Sequence, residues 1–289
     1  MFDLIASGEY YAEVGTALSE QAPEDLRQAL EAVCSERLRR IDRFTQLALL
    51  GSGRCVAGIK LVERTGLYIS SGFGAIANTI DVQRRLFEEQ QIPKPASFIN
   101  TLSNSAGYYV ARNLDLHSRN LFVGRDAAPT EAAVRLATVD LALGNVEQAL
   151  VGIVDEVSWP LADHARRLGA ASDALLAEGS HWLLLQTHSS DGSGDRIGDV
   201  RTLNDPDELS EWFGQTGHAP DAKIYLAPGV EPEFSAACPP LDAFTPSLGD
   251  YMARTAGAVI RFLDSGESGE LLTVAGGDER IHVMHLMNS

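Results

Sequence analysis

Residues His117–Glu156 read HSRNLFVGRDAAPTEAAVRLATVDLALGNVEQALVGIVDE, and their pattern decides the fold. Asn120 to Gly124 is a short apolar strand pattern, and Arg125-Asp126-Ala127-Ala128 comes next as a tight corner. From Thr130 to Leu143, alanine, leucine and valine recur at helical spacing on a background of strong helix formers. Gly144-Asn145 closes that helix. Ala149 to Val154 is apolar throughout, as a strand buried on both faces must be.

A strand, a sharp corner and a buried helix form a nucleophile elbow, in which the corner residue is held at a helix N-terminus. That position lowers a thiol's pKa and offers N–H groups to a developing oxyanion, so cysteine or serine is expected. Here the corner holds Ala127, which has no lone pair to give. The layout resembles the β-ketoacyl-acyl carrier protein synthases of the thiolase superfamily, whose elbow reads roughly GP-x-x-x-x-x-x-A-C before a helix, G-D-A-D and an apolar strand. Laid on without gaps, Ala127 takes the cysteine's place and Gly144-Asn145-Val146-Glu147 that of G-D-A-D. On this stretch alone, a strand–helix–strand unit of another α/β fold remains the alternative.

Other segments carry the same resemblance. Pro23 to Arg40 reads as an amphipathic helix. Arg39 to Gly58 resembles a ketosynthase segment written R-x-M-D-R-F-x-Q-L-A-L, with Arg40, Asp42, Arg43, Phe44, Gln46, Leu47, Ala48 and Leu49 matching. Thr65 to Ser71 is a buried strand running into Gly72-Phe73-Gly74, and Asp81 to Gln91 a polar helix. Phe98 to Leu114 resembles the family's interface helix, with Asn104 and Ala106 in place and Tyr108-Tyr109 adding bulk. Beyond Glu156 the chain is compressed: helix from Trp159 to Ala177, strands at His181–Thr187 and Asp195–Thr202 around SSDGSGD, helix from Asp205 to Gly217. Glu178-Gly179-Ser180 falls where the family reads G-E-G-A.

Lys223 to Gly229 resembles Y-V-x-A-H-G-T, and the first catalytic histidine falls at Pro228. Thr245 to Ala258 resembles K-S-x-x-G-H-x-x-G-A-A-G-A, which puts the lysine at Pro246 and the second histidine at Tyr251. Leu271 to Met287 is a hairpin turning at Gly276-Gly277, with Ala275 at the family's gating phenylalanine.

Composition narrows the classes. The chain has 289 residues, 45% hydrophobic and 22% charged, as a globular protein does. Its net charge of −17 repels nucleic acid and anionic membranes, and an acidic carrier protein as well. Arg39, Arg40 and Arg43 are its densest basic cluster and read as a solvated face. Cys34, Cys55 and Cys238 are odd in number and contain no C-x-x-C, which fits a reducing compartment and no zinc site. His282 and His285 are three apart in a strand and so face opposite sides. No signal-peptide pattern and no membrane span are read, so a cytoplasmic location is expected.

The resemblance implies the thiolase fold: an α/β protein of two pseudo-repeated halves, each with a five-stranded mixed sheet, in αβαβα layers, the second half reduced. The expected halves are 1–160 and 161–289. With Ala127, Pro228, Pro246 and Tyr251 at the chemistry-bearing positions, the chain by itself lacks the groups condensation needs, and no cofactor is implied. The expected role is that of a chain-length-factor-like subunit pairing with an active ketosynthase, closest to the aryl polyene type, or of a homodimer. Phe98, Leu102, Asn104, Tyr108, Tyr109, Leu121, Phe122 and Val123 would line the interface and a shared acyl tunnel. The alternatives are a non-reactive acyl-thioester binding module, an enzyme with a relocated site, and a self-associating structural protein.

Overall fold

The computed structural model describes residues 1–19, 24–35, 38, 40–125, 127–188, 194–266, 268–277 and 280–289. Pro23, Arg39, Asp126 and residues 189–193, on which sequence expectations fall, lie outside them.

The chain opens with a long strand, β1 (Phe2–Gly15), followed by α1 (Arg27–Glu31) and α2 (Arg43–Cys55). The helix expected from Pro23 is thus only α1, because the Asn113 side chain captures the backbone just beyond it. Asn113 accepts the Ser35 N–H at 2.9 Å and donates to the Val33 carbonyl at 3.0 Å. In α2 the Asp-Arg-Phe signature is an N-cap: Asp42 accepts the Thr45 N–H at 3.0 Å.

Next come β2 (Thr65–Ser71), wholly buried, then α3 (Ile76–Phe87), α4 (Pro95–Ile99) and α5 (Ser105–Asn113). The single helix expected over Phe98–Leu114 is therefore broken. The break lets Ser103 accept the Ala75 N–H at 3.0 Å and Asn100 donate to the Arg40 carbonyl at 3.0 Å. Gly74, at φ +62°, sits against it, and a Cβ there would fall 2.1 Å from Ser103 Oγ.

The decisive stretch folds as read: β3 (Asn120–Gly124), α6 (Pro129–Ala142) and β4 (Gln148–Asp155), with Gly144 left-handed past the helix end. Then follow α7 (Leu161–Leu168), β5 (Leu176–Thr187), β6 (Arg196–Leu203) and α8 (Pro206–Thr216). The helix expected to reach Ala177 stops at Gly169, which is left-handed at φ +68°. The remainder is β7 (Lys223–Leu226), α9 (Pro232–Ala236), β8 (Asp242–Ala243), α10 (Arg254–Asp264), β9 (Gly269–Gly277) and β10 (Arg280–Asn288). Gly276 and Gly277 are not the hairpin turn; they pair with Ile281 and Arg280.

Among the described residues, ten strands run in the order β3-β2-β4-β5-β1-β6-β10-β9-β7-β8. They form two sets of five joined only where Phe2 and Asp3 of β1 meet Ile197 and Arg196 of β6. Each set is mixed: β3, β2 and β4 are parallel while β5 and β1 run against their neighbours, and β8, β7 and β9 repeat this beside β10 and β6. The boundary expected at residue 160 falls inside the first set, because β5 pairs with both β4 and β1. We place the seam between Thr187 and Arg196.

Helices α6 and α10 lie between the two sets. Ala133, Val134, Ala137, Leu141, Val259 and Phe262 pack there against Tyr68, Val151, Leu271 and Met284 of the strands. On one outer face α2 and α5 cover the first set through Leu47, Leu50 and Val110; on the other α8 covers the second through Leu209 and Trp212. The result is the αβαβα layering, with most of the α6 and α10 side chains buried between the two sets.

Candidate functional site

The inner helix ends meet at a cavity of about 230 Å³. Its walls come from the elbow (Ala127, Ala128, Pro129), the end of α7, the turn after β7 (Ala227, Pro228), residues 250–255 and the end of β9 (Ala275, Gly276). Three positions chosen from sequence, Ala127, Pro228 and Tyr251, therefore line one space, and Ala275 joins them. Pro246 does not. It lines a neighbouring cavity of about 270 Å³ with Tyr225 and Phe244, in contact with the first only through the shared Pro228 and Arg254.

The corner keeps the tight backbone of an elbow. Ala128 is left-handed (φ +53°, ψ 50°), a conformation that costs an alanine roughly 1–2 kcal/mol and that packing of the corner must offset. The strained residue is the one after the aligned nucleophile position. Pro129 opens α6 and removes one of the N–H groups that a helix end offers an anion. The charged groups in the cavity wall answer each other: Arg254 donates to Asp250 at 2.6 Å. Cysteine, histidine and lysine are absent from its described lining.

Tyr251 turns its hydroxyl away from this space into the core. It donates to Nε2 of His181 at 2.9 Å, and His181 Nδ1 is 2.9 Å from Glu9 Oε2. Arg261 pairs with the other oxygen of Glu9. Burial lowers the His181 pKa by more than Glu9 raises it, so the imidazole is neutral, with its proton on Nδ1 facing Glu9. Burial alone would raise the Glu9 pKa, but the hydrogen bond from His181 and the charge and hydrogen bond of Arg261 pull it below the ordinary carboxylate range. Gly257 of α10 makes room for the phenol, since a Cβ there would lie 2.2 Å from its oxygen. Tyr251, which the sequence resemblance sets at the second histidine, is thus locked into a buried hydrogen-bond chain.

Two motif residues far apart in sequence meet nearby. Arg43 donates Nε to Glu178 Oε2 at 2.8 Å and Nη2 to Oε1, a bidentate pair with Glu178 fully buried. Arg43 is therefore not part of a solvated basic face. Reasoning from sequence missed a group of buried acids. Glu131, in the first turn of α6, accepts only from Thr273 at 3.2 Å, and burial pushes its pKa up to about 7. Asp155 accepts from Ser71 Oγ at 2.8 Å and Gly72 N at 3.1 Å, and burial pushes it up to about 6. Glu156 accepts the Ala77 N–H at 2.8 Å and is raised well above its usual range, burial again the main cause. An acid in a helix's first turn ordinarily faces solvent; the only hint was the apolar run around Glu131.

Of the expected interface residues, Phe98 (59% exposed), Leu102 (55%) and Tyr108 (58%) lie open on α4, α5 and the turn between them, and Phe87 and Ile99 are exposed as well. Leu121 is partly open on β3. Tyr109 and Phe122 differ: they pack against the core, Phe122 edge-on to Phe44 at 6.1 Å. Asn104 caps α5 through its backbone, its side chain making no capping bond. Val123 is half-buried. None of these residues lines the elbow cavity. His282 and His285 do face opposite sides of β10. One meets Arg125 and Thr202, the other Glu270.

No family model matches the sequence, and no curated protein does. Solved structures match over the whole chain. One described as the ishigamide ketosynthase/chain length factor superposes with a TM-score of 0.76 at 17% identity, covering 99% of each chain. A type II polyketide synthase acyl-carrier protein in complex with its ketosynthase bound to the hexaketide gives 0.72 at 12%, covering 100% of this chain and 99% of the other. A β-ketoacyl synthase from Burkholderia phymatum STM815 gives 0.69 at 13%, with the same coverage. At such identities the likeness is one of fold: this chain has the thiolase-type fold of ketosynthases and chain length factors.

Proposed function

We propose that the chain is a non-catalytic ketosynthase-like subunit of the chain-length-factor kind, which pairs with an active β-ketoacyl synthase and helps shape its acyl tunnel. The observation that carries this reading is the elbow cavity. The fold builds the corner, the inner helix and the converging strand ends, and puts Ala127, Pro228 and Tyr251 there, with the phenol committed to His181. Condensation needs a nucleophile to hold the acyl chain and donors for the enolate and oxyanion, and Ala127 and Pro228 have neither to give, while the Tyr251 hydroxyl is spent on His181. The names of the similar structures, two of which mention a chain length factor, agree with a ketosynthase partner and an acyl chain. The open apolar face on α4, α5 and β3 supplies a surface for that partner. An aryl polyene product is the finer form of the proposal.

The purified chain is expected to take up no label from a radiolabelled acyl thioester, and Ala127→Cys alone is expected to give no chain elongation. Stoichiometric covalent labelling of Cys34, Cys55 or Cys238 would overturn the non-catalytic reading in favour of a relocated site.

A further inference from the structure

A second concavity, of about 630 Å³, opens on the other side of α6, between that helix, the end of β6 and the start of β10. Arg125, Arg135 and Arg280 all line it. In a chain with net charge −17 this is an unusual concentration of one sign, and none of the three meets a carboxylate among the described residues. Like charges gathered in one groove repel unless an anion joins them.

The hydrogen bonds in the groove run one way. A guanidinium can only donate, so Arg125 Nη2 donates to His282 Nε2 at 3.0 Å. His282 must then carry its proton on Nδ1 and donate it to Thr202 Oγ1, 3.0 Å away. Arg135 donates to the same oxygen at 2.5 Å. Both lone pairs of the Thr202 hydroxyl are then filled, and among the described residues nothing accepts its proton. His282 stays neutral throughout, since burial, followed by the charges of Arg125, Arg135 and Arg280, takes its pKa down to about 4. The neighbouring amide is already engaged, because Asn204 is held by Glu208 at 3.1 Å. The two acceptors, His282 Nε2 and Thr202 Oγ1, are thus both taken, and three guanidinium groups carry more N–H donors than these two atoms can accept.

From this we infer that the groove binds the phosphoryl group of a small organic phosphate. Three guanidinium forks and a hydroxyl exceed what the two oxygens of a carboxylate can take, whereas a terminal phosphate offers three oxygens and close to two charges. The groove is larger than inorganic phosphate needs. Leu136 and Val139 in its wall are apolar and partly exposed, which suits an organic arm on the ester. The groove shares no residue with the elbow cavity, and only Val123 with the proposed partner surface, so its ligand can be tested on the chain alone.

Titration calorimetry at low salt with phenyl phosphate tests it. Saturable binding is expected, tighter than that of inorganic phosphate or benzoate and weakening steeply with added salt. Arg135→Gln and Arg280→Gln, both at exposed positions, should each weaken it about tenfold or more, and Thr202→Val should weaken it with the melting temperature kept. Arg27→Gln, which removes an equal charge elsewhere on the surface, should leave it unchanged. Absence of binding at millimolar phenyl phosphate would overturn the inference, as would undiminished binding in the Arg135→Gln, Arg280→Gln double variant. Benzoate binding as tightly as phenyl phosphate would overturn the phosphoryl assignment. Binding only to vesicles containing phosphatidic acid would replace the soluble ligand with a lipid headgroup.

Discussion

Among single residues, Tyr251, where the sequence resemblance expects a histidine, is held by side chains from three other elements. Tyr251 closes a buried chain to His181, Glu9 and Arg261, so its hydroxyl works for stability. Tyr251→Phe leaves His181 Nε2 without a donor in the core and should lower unfolding free energy by about 1–3 kcal/mol in urea titration. Loss of less than a few tenths would mean the chain contributes nothing. Glu131 gives a pH signature. Its folded pKa, raised to about 7, lies above the usual carboxylate value of 4.5, so between these the folded state binds more protons than the unfolded one. Its contribution to stability is greatest below pH ~4.5 and is lost as pH rises to ~7. The melting temperature is therefore expected to fall across that window, and Glu131→Gln to flatten the fall; an unchanged slope in the variant would contradict this. Ala127, Pro228 and Tyr251, chosen from the resemblance, line one cavity because each sits a fixed step from a strand or helix end. Pro246 does not. It lies in the irregular run between β8 and α10, where no hydrogen-bond ladder carries the register of the aligned helix back to it.

Elements read well wherever periodicity was uninterrupted. The strands β2 and β4 and the helix α6 are buried and apolar, and their sequence pattern is their packing pattern. Where side chains from elsewhere compete for the backbone, the pattern misled. Asn113 ends α1, and Ser103 and Asn100 break the expected interface helix. β1 escaped notice because FDLIASGEYYAEVG mixes small, charged and aromatic residues, and its strand character comes from long pairing with β5. The edge strand β3 has a testable polarity. Leu67 N–H bonds to the Arg119 carbonyl and Arg125 N–H to that of Ser71, so the odd-numbered residues face β2 and the even-numbered ones face the open edge. Gly124→Pro removes an outward donor without breaking the β2 ladder, and a Cβ there meets nothing closer than Phe122 at 3.9 Å. It should weaken association with a synthase by about tenfold or more while circular dichroism stays native-like. Unchanged association would remove β3 from the proposed interface.

For the molecule as a whole, the layered plan was legible through the family resemblance, and the packing of α6 and α10 against strands of both sets agrees with it. The seam was misplaced because β5 follows a helix that looks like the start of a new half, yet its strand pairs back into the first set. The open face of Phe87, Phe98, Ile99, Leu102 and Tyr108 is also a property of the whole, since these residues come from three elements. Exposed apolar side chains of this size, where they adjoin, suit the partner surface proposed above. With net −17 on the remainder of the chain, the favoured partner brings the basic surface that an acidic carrier requires. If this chain completes an active synthase, the two must copurify. Co-expression with an intact ketosynthase, followed by size-exclusion chromatography with light scattering, is the decisive measurement. A subunit of this kind gives one complex whose mass equals this chain's 31.1 kDa plus one synthase subunit. A folded 31.1 kDa monomer that elutes apart from every co-expressed synthase would refute the pairing.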